Sequence, residues 1–334
     1  MAMELKVFES PGKEWDEFAS QYTDLIFYRS IWSKVLQKGL KGQPLYFYLK
    51  EGERIVAGLP GILLSFGIFR IFYASIPYGN VIGEKKYFLP FTDLLEKEFE
   101  RRGIDQVRIT ESPFSESYPH EAFNAIPAKC SLLDLSPFEK GRVWEKYKSD
   151  VRRAIRKAQK NGLTVKGATS SEEAAIFYKL YLSSMERNRA GAKYPLQWFQ
   201  ALYEILVRKG EADIKFAMKE DQCIAGVVLV YSPTSIHYLH NGSDQAYLEN
   251  RPNDFIVDDI IQKGLEEGKA ILDFMGSDPK DLPLLRFKEK WGSQSLVIHT
   301  YVKDYHPLRC LLWEAGKRWM TSRWGMRLLK TLQR

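Results

Sequence analysis

The sequence predicts an α/β protein made of two copies of one unit, each a mixed β-sheet flanked by helices, with a helical tail at the end. Three observations lead there. The chain has 334 residues, enough for two domains. Apolar residues make up 45% and charged residues 27%, the balance of a globular protein with proper cores. Three weak internal matches then recur in the same order, at offsets of 165 to 169 residues.

The first match pairs residues 49–63 (LKEGERIVAGLPGIL) with 218–230 (MKEDQCIAGVVLV). Each copy reads as strand, charged turn, strand. The second pairs residues 93–103 (DLLEKEFERRG) with 258–268 (DDIIQKGLEEG). Apolar residues at helical spacing and a glycine stop predict a helix in both. The third pairs residues 104–113 (IDQVRITESP) with 270–279 (AILDFMGSDP), short β-rich runs that lead into a serine and a proline. The expected units are residues 1–137 and 138–303, with a linker over 134–142 and a tail over 304–334.

Other elements follow in order. Residues 59–76 form the longest apolar stretch, but Arg70, four aromatics and two glycines interrupt it, so it reads as two core strands. Residues 144–160 carry Trp144, Tyr147, Val151, Ile155 and Ala158 on one helical face, and Asn161-Gly162 is the stop. A second helix is expected over 171–188, capped by Ser170 or Ser171, and a third over 196–207.

The net charge of +7 is unevenly spread. Residues 140–166 hold ten basic and two acidic side chains, residues 306–334 hold seven and one, and the remainder is acidic. Two basic surfaces of this kind favour phosphate-rich partners: nucleic acid, nucleotide-linked substrates or anionic lipid. Either one also reads as a solvated helix face. Cys130, Cys223 and Cys310 are widely spaced and odd in number, which fits a reducing compartment. The N-terminus shows no signal-peptide pattern, so a cytoplasmic location is expected. His237 and His240, three apart on a strand, should point to opposite faces, and no metal site is expected. P-loop, dinucleotide-binding and Gly-x-Ser-x-Gly patterns are absent.

Four segments resemble the Fem family of peptidoglycan-bridge aminoacyltransferases. RRAIRKAQKNGLTV (residues 152–165) resembles the basic helix and strand that open the family's second domain. The stretch around Glu186-Arg187-Asn188 resembles its Arg-containing segment. IHYLHNGSD (residues 236–244) is similar to its aromatic strand, and ILDFMGSDP with LRFKEKWG (residues 285–292) to its closing strand and signature. The resemblance implies two tandem N-acetyltransferase-like domains and an acyltransferase activity. It implies an aminoacyl-tRNA donor and a cell-wall or polysaccharide precursor as acceptor. The long coiled-coil arm of tRNA-using members is missing, so this is an armless form.

Amide formation needs a stabilised carbonyl oxygen, a deprotonated amine and a held donor. Lys288 is the candidate for the oxyanion or donor, with Lys290 as alternate. On a strand the two would share a face; on a helix they would not. Arg187 is a candidate phosphate or carboxylate clamp, with Arg189 as alternate. Tyr238 could bond the substrate, or be a core aromatic. Asn253 and Asp254 read either as substrate-binding or as the N-cap of a helix near Phe255. Arg156 belongs to the basic helix as a donor contact. Asp273, the lone carboxylate of its strand, reads as a general base or as a satisfied structural carboxylate, with the structural reading preferred. The tail alternates Leu and Trp with basic residues, as an interfacial helix on an anionic membrane does, or it packs back on the domains. No tightly bound cofactor is expected.

Neither unit contains the Q/R-x-x-G-x-G/A loop that holds the pyrophosphate of coenzyme A at a helix start. A conventional acetyl-CoA enzyme is therefore disfavoured, and the leading reading is a Fem-type acyltransferase that passes an aminoacyl or acyl group, from aminoacyl-tRNA or acyl-CoA, to an amine of a cell-wall or polysaccharide precursor. The alternatives are an acyl-CoA-dependent N-acyltransferase of exopolysaccharide or lipid, and a non-enzymatic RNA- or membrane-binding protein.

Overall fold

The computed structural model describes residues 3–321 apart from 116, 117, 119 and 189, and leaves the side chains of 317–321 undescribed. The first half contains β1 (Met3–Phe8), α1 (Lys13–Ala19), α2 (Ser30–Leu40), β2 (Gln43–Pro44), β3 (Tyr46–Glu51), β4 (Arg54–Leu59), β5 (Ile62–Phe66), β6 (Phe69–Tyr73), β7 (Ile82–Gly83), α3 (Phe88–Arg101), β8 (Gln106–Thr110) and β9 (Asn124–Asp134). The second half contains α4 (Val143–Lys146), α5 (Ser149–Lys160), β10 (Leu163–Gly167), α6 (Glu173–Arg187), α7 (Leu196–Ile205), β11 (Ala212–Lys219), β12 (Gln222–Tyr231), β13 (Ser235–Ser243), α8 (Pro252–Glu266), β14 (Ile271–Ser277), α9 (Leu282–Glu289), β15 (Gln294–Asp304) and α10 (Pro307–Thr321).

The duplication is visible residue by residue. In the β3–β4 hairpin, Leu49 faces Ala57 and Lys50 faces Ile55, so Val56 is bulged out. In the β11–β12 hairpin, Ala217 faces Ala225 and Met218 faces Cys223, so Ile224 is bulged out. Val56 and Ile224 each precede the Ala-Gly pair that the sequence aligns. The helices α3 and α8 are followed by Gly103 and Gly268, both at positive φ, where a Cβ would be strained. β6 and β8 pair in parallel through three residues, as do β13 and β14.

The halves then exchange strands. β9, from the first half, pairs with β14 of the second. β15, from the second half, pairs with β8 of the first. β9 and β15 pair with each other between them. The result is one eleven-stranded sheet in the order β10-β11-β12-β13-β14-β9-β15-β8-β6-β5-β2, beside a four-stranded sheet β1-β3-β4-β7.

One face of the long sheet carries a single core shared by both halves, with Trp32, Phe27, Trp198 and Phe177 among its members. The other face carries two cores. One belongs to the second half, around Val257, Ile260 and Leu272, and one to the first, around Phe47, Phe72 and Phe91. Between them the middle of β9 and β15 is only partly covered, and Val297 is 61% exposed.

Several local expectations are corrected. The expected helix over 144–160 is broken, because Tyr147 is extended (φ −69°, ψ 140°). That geometry puts its ring against Trp291 and its hydroxyl 2.8 Å from Asp258. α6 begins at Glu173 without a serine side-chain cap; the Glu173 carboxylate accepts from the Thr169 N–H instead (2.6 Å). α8 begins at Pro252 with Arg251 in the N-cap position, so Asn253 and Asp254 lie inside the first turn and cap nothing. A bulge at Leu239 shifts the parity of β13 and brings His237 and His240 to the same face, contrary to the alternation rule.

Candidate active site

β13 and β14 stop pairing after His237 and Asp273, although both strands run on. The unpaired ends splay into a notch in the sheet. The equivalent notch of the first half is closed by its own chain. There the Ala74 N–H bonds to Arg108 O and the Gly79 N–H to Thr110 O. Gly79 is required for that closure, since a Cβ would sit 1.6 Å from the Ala74 carbonyl oxygen. The open notch is therefore on the side of the second half.

At this notch β14 is bulged. Asp273 faces Leu132 but Gly276 faces Cys130, and the intervening Met275 has φ +63°. The bulge is held by Asp273, which is fully buried. Its Oδ1 accepts from the Met275 N–H at 2.7 Å and from Cys130 Sγ at 3.3 Å. Its Oδ2 accepts from Tyr78 OH at 3.2 Å and lies 3.0 Å from His237 Nδ1. Burial and the Asp273 charge push the Tyr78 and Cys130 acids up, so both remain protonated donors. On its other side, His237 Nε2 lies 2.9 Å from Ser232 Oγ and 3.1 Å from Ser235 Oγ. Ser232, His237 and Asp273 thus have the order of a hydrolytic triad. All three are buried, and Ser232 Oγ also takes the Ile26 N–H, so the group holds the halves together and is closed to substrate. Asp273 is enclosed in this network with no solvent-exposed surface.

Lys288 stands in the last turn of α9, so it and Lys290 point apart, as expected for a helix. Its ammonium is buried and donates to Met275 O (2.8 Å) and Ser277 Oγ (2.6 Å). An ammonium has three N–H donors; among the described residues nothing accepts the third, and no carboxylate pairs with it. Burial pulls its pKa from 10.5 down to about 8, against a smaller upward pull from Cys130 and Asp273. A buried cation without a counter-ion is costly unless something else meets it.

Lys290 pairs with Asp254 in the first turn of α8 and lies over the Phe287 ring. Tyr238 projects into the same region, where burial and then the Asp254 charge push its phenol up. Tyr238, Asp254 and Lys290 are thus brought together, with Asn253 beside them in sequence. Arg187 reaches the end of β13, donating to Ser243 O (3.1 Å) and Ser184 Oγ (3.0 Å), with no carboxylate partner among the described residues. Arg156 stands apart on the solvent face of α5, its guanidinium over Trp144. Arg189 lies outside the described residues.

The α8 start is a poor seat for a pyrophosphate. Pro252 has no N–H, and the buried Asp254 carboxylate already occupies the positive end of the helix.

The sequence did not mark one pair that faces the open stretch of sheet. Glu111 is buried and accepts from His299 Nδ1 at 2.9 Å and from the His299 N–H at 2.6 Å. The His299 side chain is 37% exposed, and its Nε2 has no partner among the described residues. Directly opposed residues share a face, so Ser277, Lys129 and Val297 form a row across β14, β9 and β15. His299 follows two residues along β15 on that face. Strand spacings put the Ser277 and His299 Cα atoms about 12 Å apart. The Lys288 contact Ser277 and the His299–Glu111 pair therefore lie on the same face of the sheet, with a strand from each half between them. The Trp291 indole N–H, also buried, has no acceptor among the described residues.

Comparison with known proteins defines the class. Residues 145–289 match the family described as acetyltransferase (GNAT) domain, and the protein is an acyltransferase by class. The whole chain has the tandem GNAT fold. FemX superposes with a TM-score of 0.67 at 13% identity, covering 92% of this chain and 99% of that one. A tandem GNAT protein from the clavulanic acid biosynthesis pathway gives 0.60 at 10% identity, covering 91% and 98%. L-PGS from Bacillus licheniformis gives 0.59 at 13% identity, covering 94% and 98%. No curated protein matches the sequence. Among the described residues no helix is long and apolar enough to cross a membrane, and no cluster of three ligating side chains could hold a metal.

Proposed function

We propose that the protein transfers an aminoacyl group from an activated ester, such as aminoacyl-tRNA, to a primary amine of a cell-wall or polysaccharide precursor, at the inner face of the cell membrane. The observation that carries this reading is the buried Lys288 ammonium with one N–H left over. A carbonyl oxygen placed there would accept that N–H and be stabilised as it becomes an oxyanion. His299 Nε2, oriented by Glu111, takes a proton from the acceptor ammonium. The neutral amine attacks the acyl carbon, the new C–N bond forms, and the bond to the donor oxygen breaks. The leaving alkoxide takes the second amine proton, and His299 returns the first to solvent. Arg187 and Lys290 guide the anionic parts of donor or acceptor.

The α8 start favours the aminoacyl donor over acyl-CoA, because Pro252 lacks the N–H that would hold a pyrophosphate and the Asp254 carboxylate would repel it. The exposed basic face of α5 supports a donor rich in phosphate. The test is a donor titration at one moderate salt concentration with acetyl-CoA, charged tRNA and uncharged tRNA. Saturable preference for charged tRNA supports the reading. Tight acetyl-CoA binding with charge-indifferent tRNA binding overturns it in favour of the acyl-CoA alternative.

A further inference from the structure

α10 presents its faces the wrong way round for a helix packed on a water-soluble domain. Its inner side is anchored: Cys310 is buried with Sγ 3.3 Å from Asp105 O, and Arg309 pairs with Asp105 at 3.2 Å. Trp313 stacks on Phe66 and Phe69, with ring centroids 4.7 and 5.0 Å apart. The outer side is apolar. Leu308, Leu311 and Leu312 are 77%, 66% and 72% exposed, and the three-four spacing puts them in one stripe. Phe66, which Trp313 covers on one side, is still 44% exposed, and Ile68 at the tip of the β5–β6 hairpin is 81% exposed. The helix cannot roll to hide its leucines without breaking the Trp313 stack and the Asp105 contacts.

We infer that this ledge, the outer stripe of α10 with the β5–β6 hairpin tip, is a docking surface for an anionic lipid bilayer. Charge selects that occupant. From His306 to Arg334 the sequence carries seven basic residues and one acidic one, with Trp319, Trp324, Leu328 and Leu332 among them. Leucine and tryptophan beside dense positive charge suit the boundary between headgroups and acyl chains. A second copy of this chain would instead bring two such segments of like charge together. The inference deepens the membrane location within the proposed function and does not depend on the acyl chemistry.

The test is co-sedimentation of the full chain with vesicles of pure phosphatidylcholine or of phosphatidylcholine with about 30% phosphatidylglycerol. The wild type should bind the anionic vesicles, and bind the neutral ones at least tenfold more weakly. A triple variant, Ile68→Ser, Leu311→Ser and Leu312→Ser, should bind anionic vesicles at least tenfold more weakly at an unchanged melting temperature. All three side chains are exposed, so the fold should survive. No acyl donor is present, so failure here leaves the acyl-transfer reading intact, and failure of donor binding leaves this one intact. Unchanged binding by the variant overturns the inference, because basic residues alone would then suffice. So does a concentration-dependent dimer that the variant abolishes, and so does stronger vesicle binding when residues 322–334 are removed, which would mean that they cover the ledge.

Discussion

Replacing Lys288 with Met separates function from stability in a way the geometry specifies. The ammonium's pKa lies at about 8 in the fold against 10.5 in the unfolded chain, chiefly through burial. That difference corresponds to about 3 kcal/mol of destabilisation by the charged form at neutral pH. Methionine removes this cost but leaves the Met275 carbonyl and the Ser277 hydroxyl without their donor, at about 1–3 kcal/mol. The two effects nearly cancel, so at pH 7 the variant should lie within about 2 kcal/mol of the wild type. The pH dependence is the sharper test. Below pH 8 the lysine is protonated in both states and the full cost is present. Between pH 8 and 10.5 the folded protein binds fewer protons than the unfolded chain, so wild-type stability rises with pH relative to the variant. From pH 7 to pH 10 that gain should reach about 2.5 kcal/mol. Urea denaturation of both proteins across this range measures it. A flat difference between them would refute the buried, partner-poor ammonium. Transfer activity should meanwhile fall tenfold or more in the variant and, in the wild type, decline as pH rises past 8. Full activity in the variant would remove Lys288 from the chemistry.

Three other outcomes are expected. Gly79→Ala should cost at least about 3 kcal/mol in thermal or urea unfolding, because the new Cβ would overlap the Ala74 carbonyl; a loss under 1 kcal/mol would mean that the closed first-half notch is loosely held. Asp273→Asn keeps the shape but loses the charge that accepts from His237, Tyr78, Cys130 and Met275, so urea unfolding should show a loss of about 3 kcal/mol or more. Stability close to wild type would show that the network is slack. His299→Gln should lower transfer tenfold or more with an unchanged melting temperature, and His299→Gly should regain part of the loss with added imidazole. Lack of rescue together with a lower melting temperature would make the Glu111–His299 pair a structural contact only.

The duplication was legible because it is written in local chemistry. An Ala-Gly pair after a charged turn, a helix closed by glycine and a β-rich run into Ser-x-Pro or Ser-Pro each follow from a few neighbouring residues. The candidate Lys288 was legible through its resemblance and its place after the third match. What the sequence hid was non-local. Nothing within residues 124–134 says that this strand pairs with β14 and β15. Leu239 gives no sign that it will bulge, yet that one residue reversed the expected facing of His240. The His240 ring, now on the His237 face, accepts from the Trp198 indole at 2.9 Å. Glu111 and His299 are 188 residues apart, so no motif could join them. The one local signal for Glu111 is in the third repeat, where it stands opposite Ser277, a carboxylate against a hydroxyl.

The exchange of β9 and β15 has a consequence for how the molecule must be made. Each half surrenders its closing strand to the other, so neither is a finished module. A ribosome that has released only the first half has produced a sheet with an uncovered edge at β8, whose partner is β15, near the end of the chain. That edge must wait until residues 294–304 have been made, and such distant closures are slow. Cut between the halves, the chain would yield two fragments that recognise each other as the arms of an intertwined dimer do. The arrangement is what a strand-swapped pair of identical subunits would become after a gene fusion. It also ensures that the β9–β15 pairing between Lys288 and His299, one strand from each arm, exists only once both arms have closed.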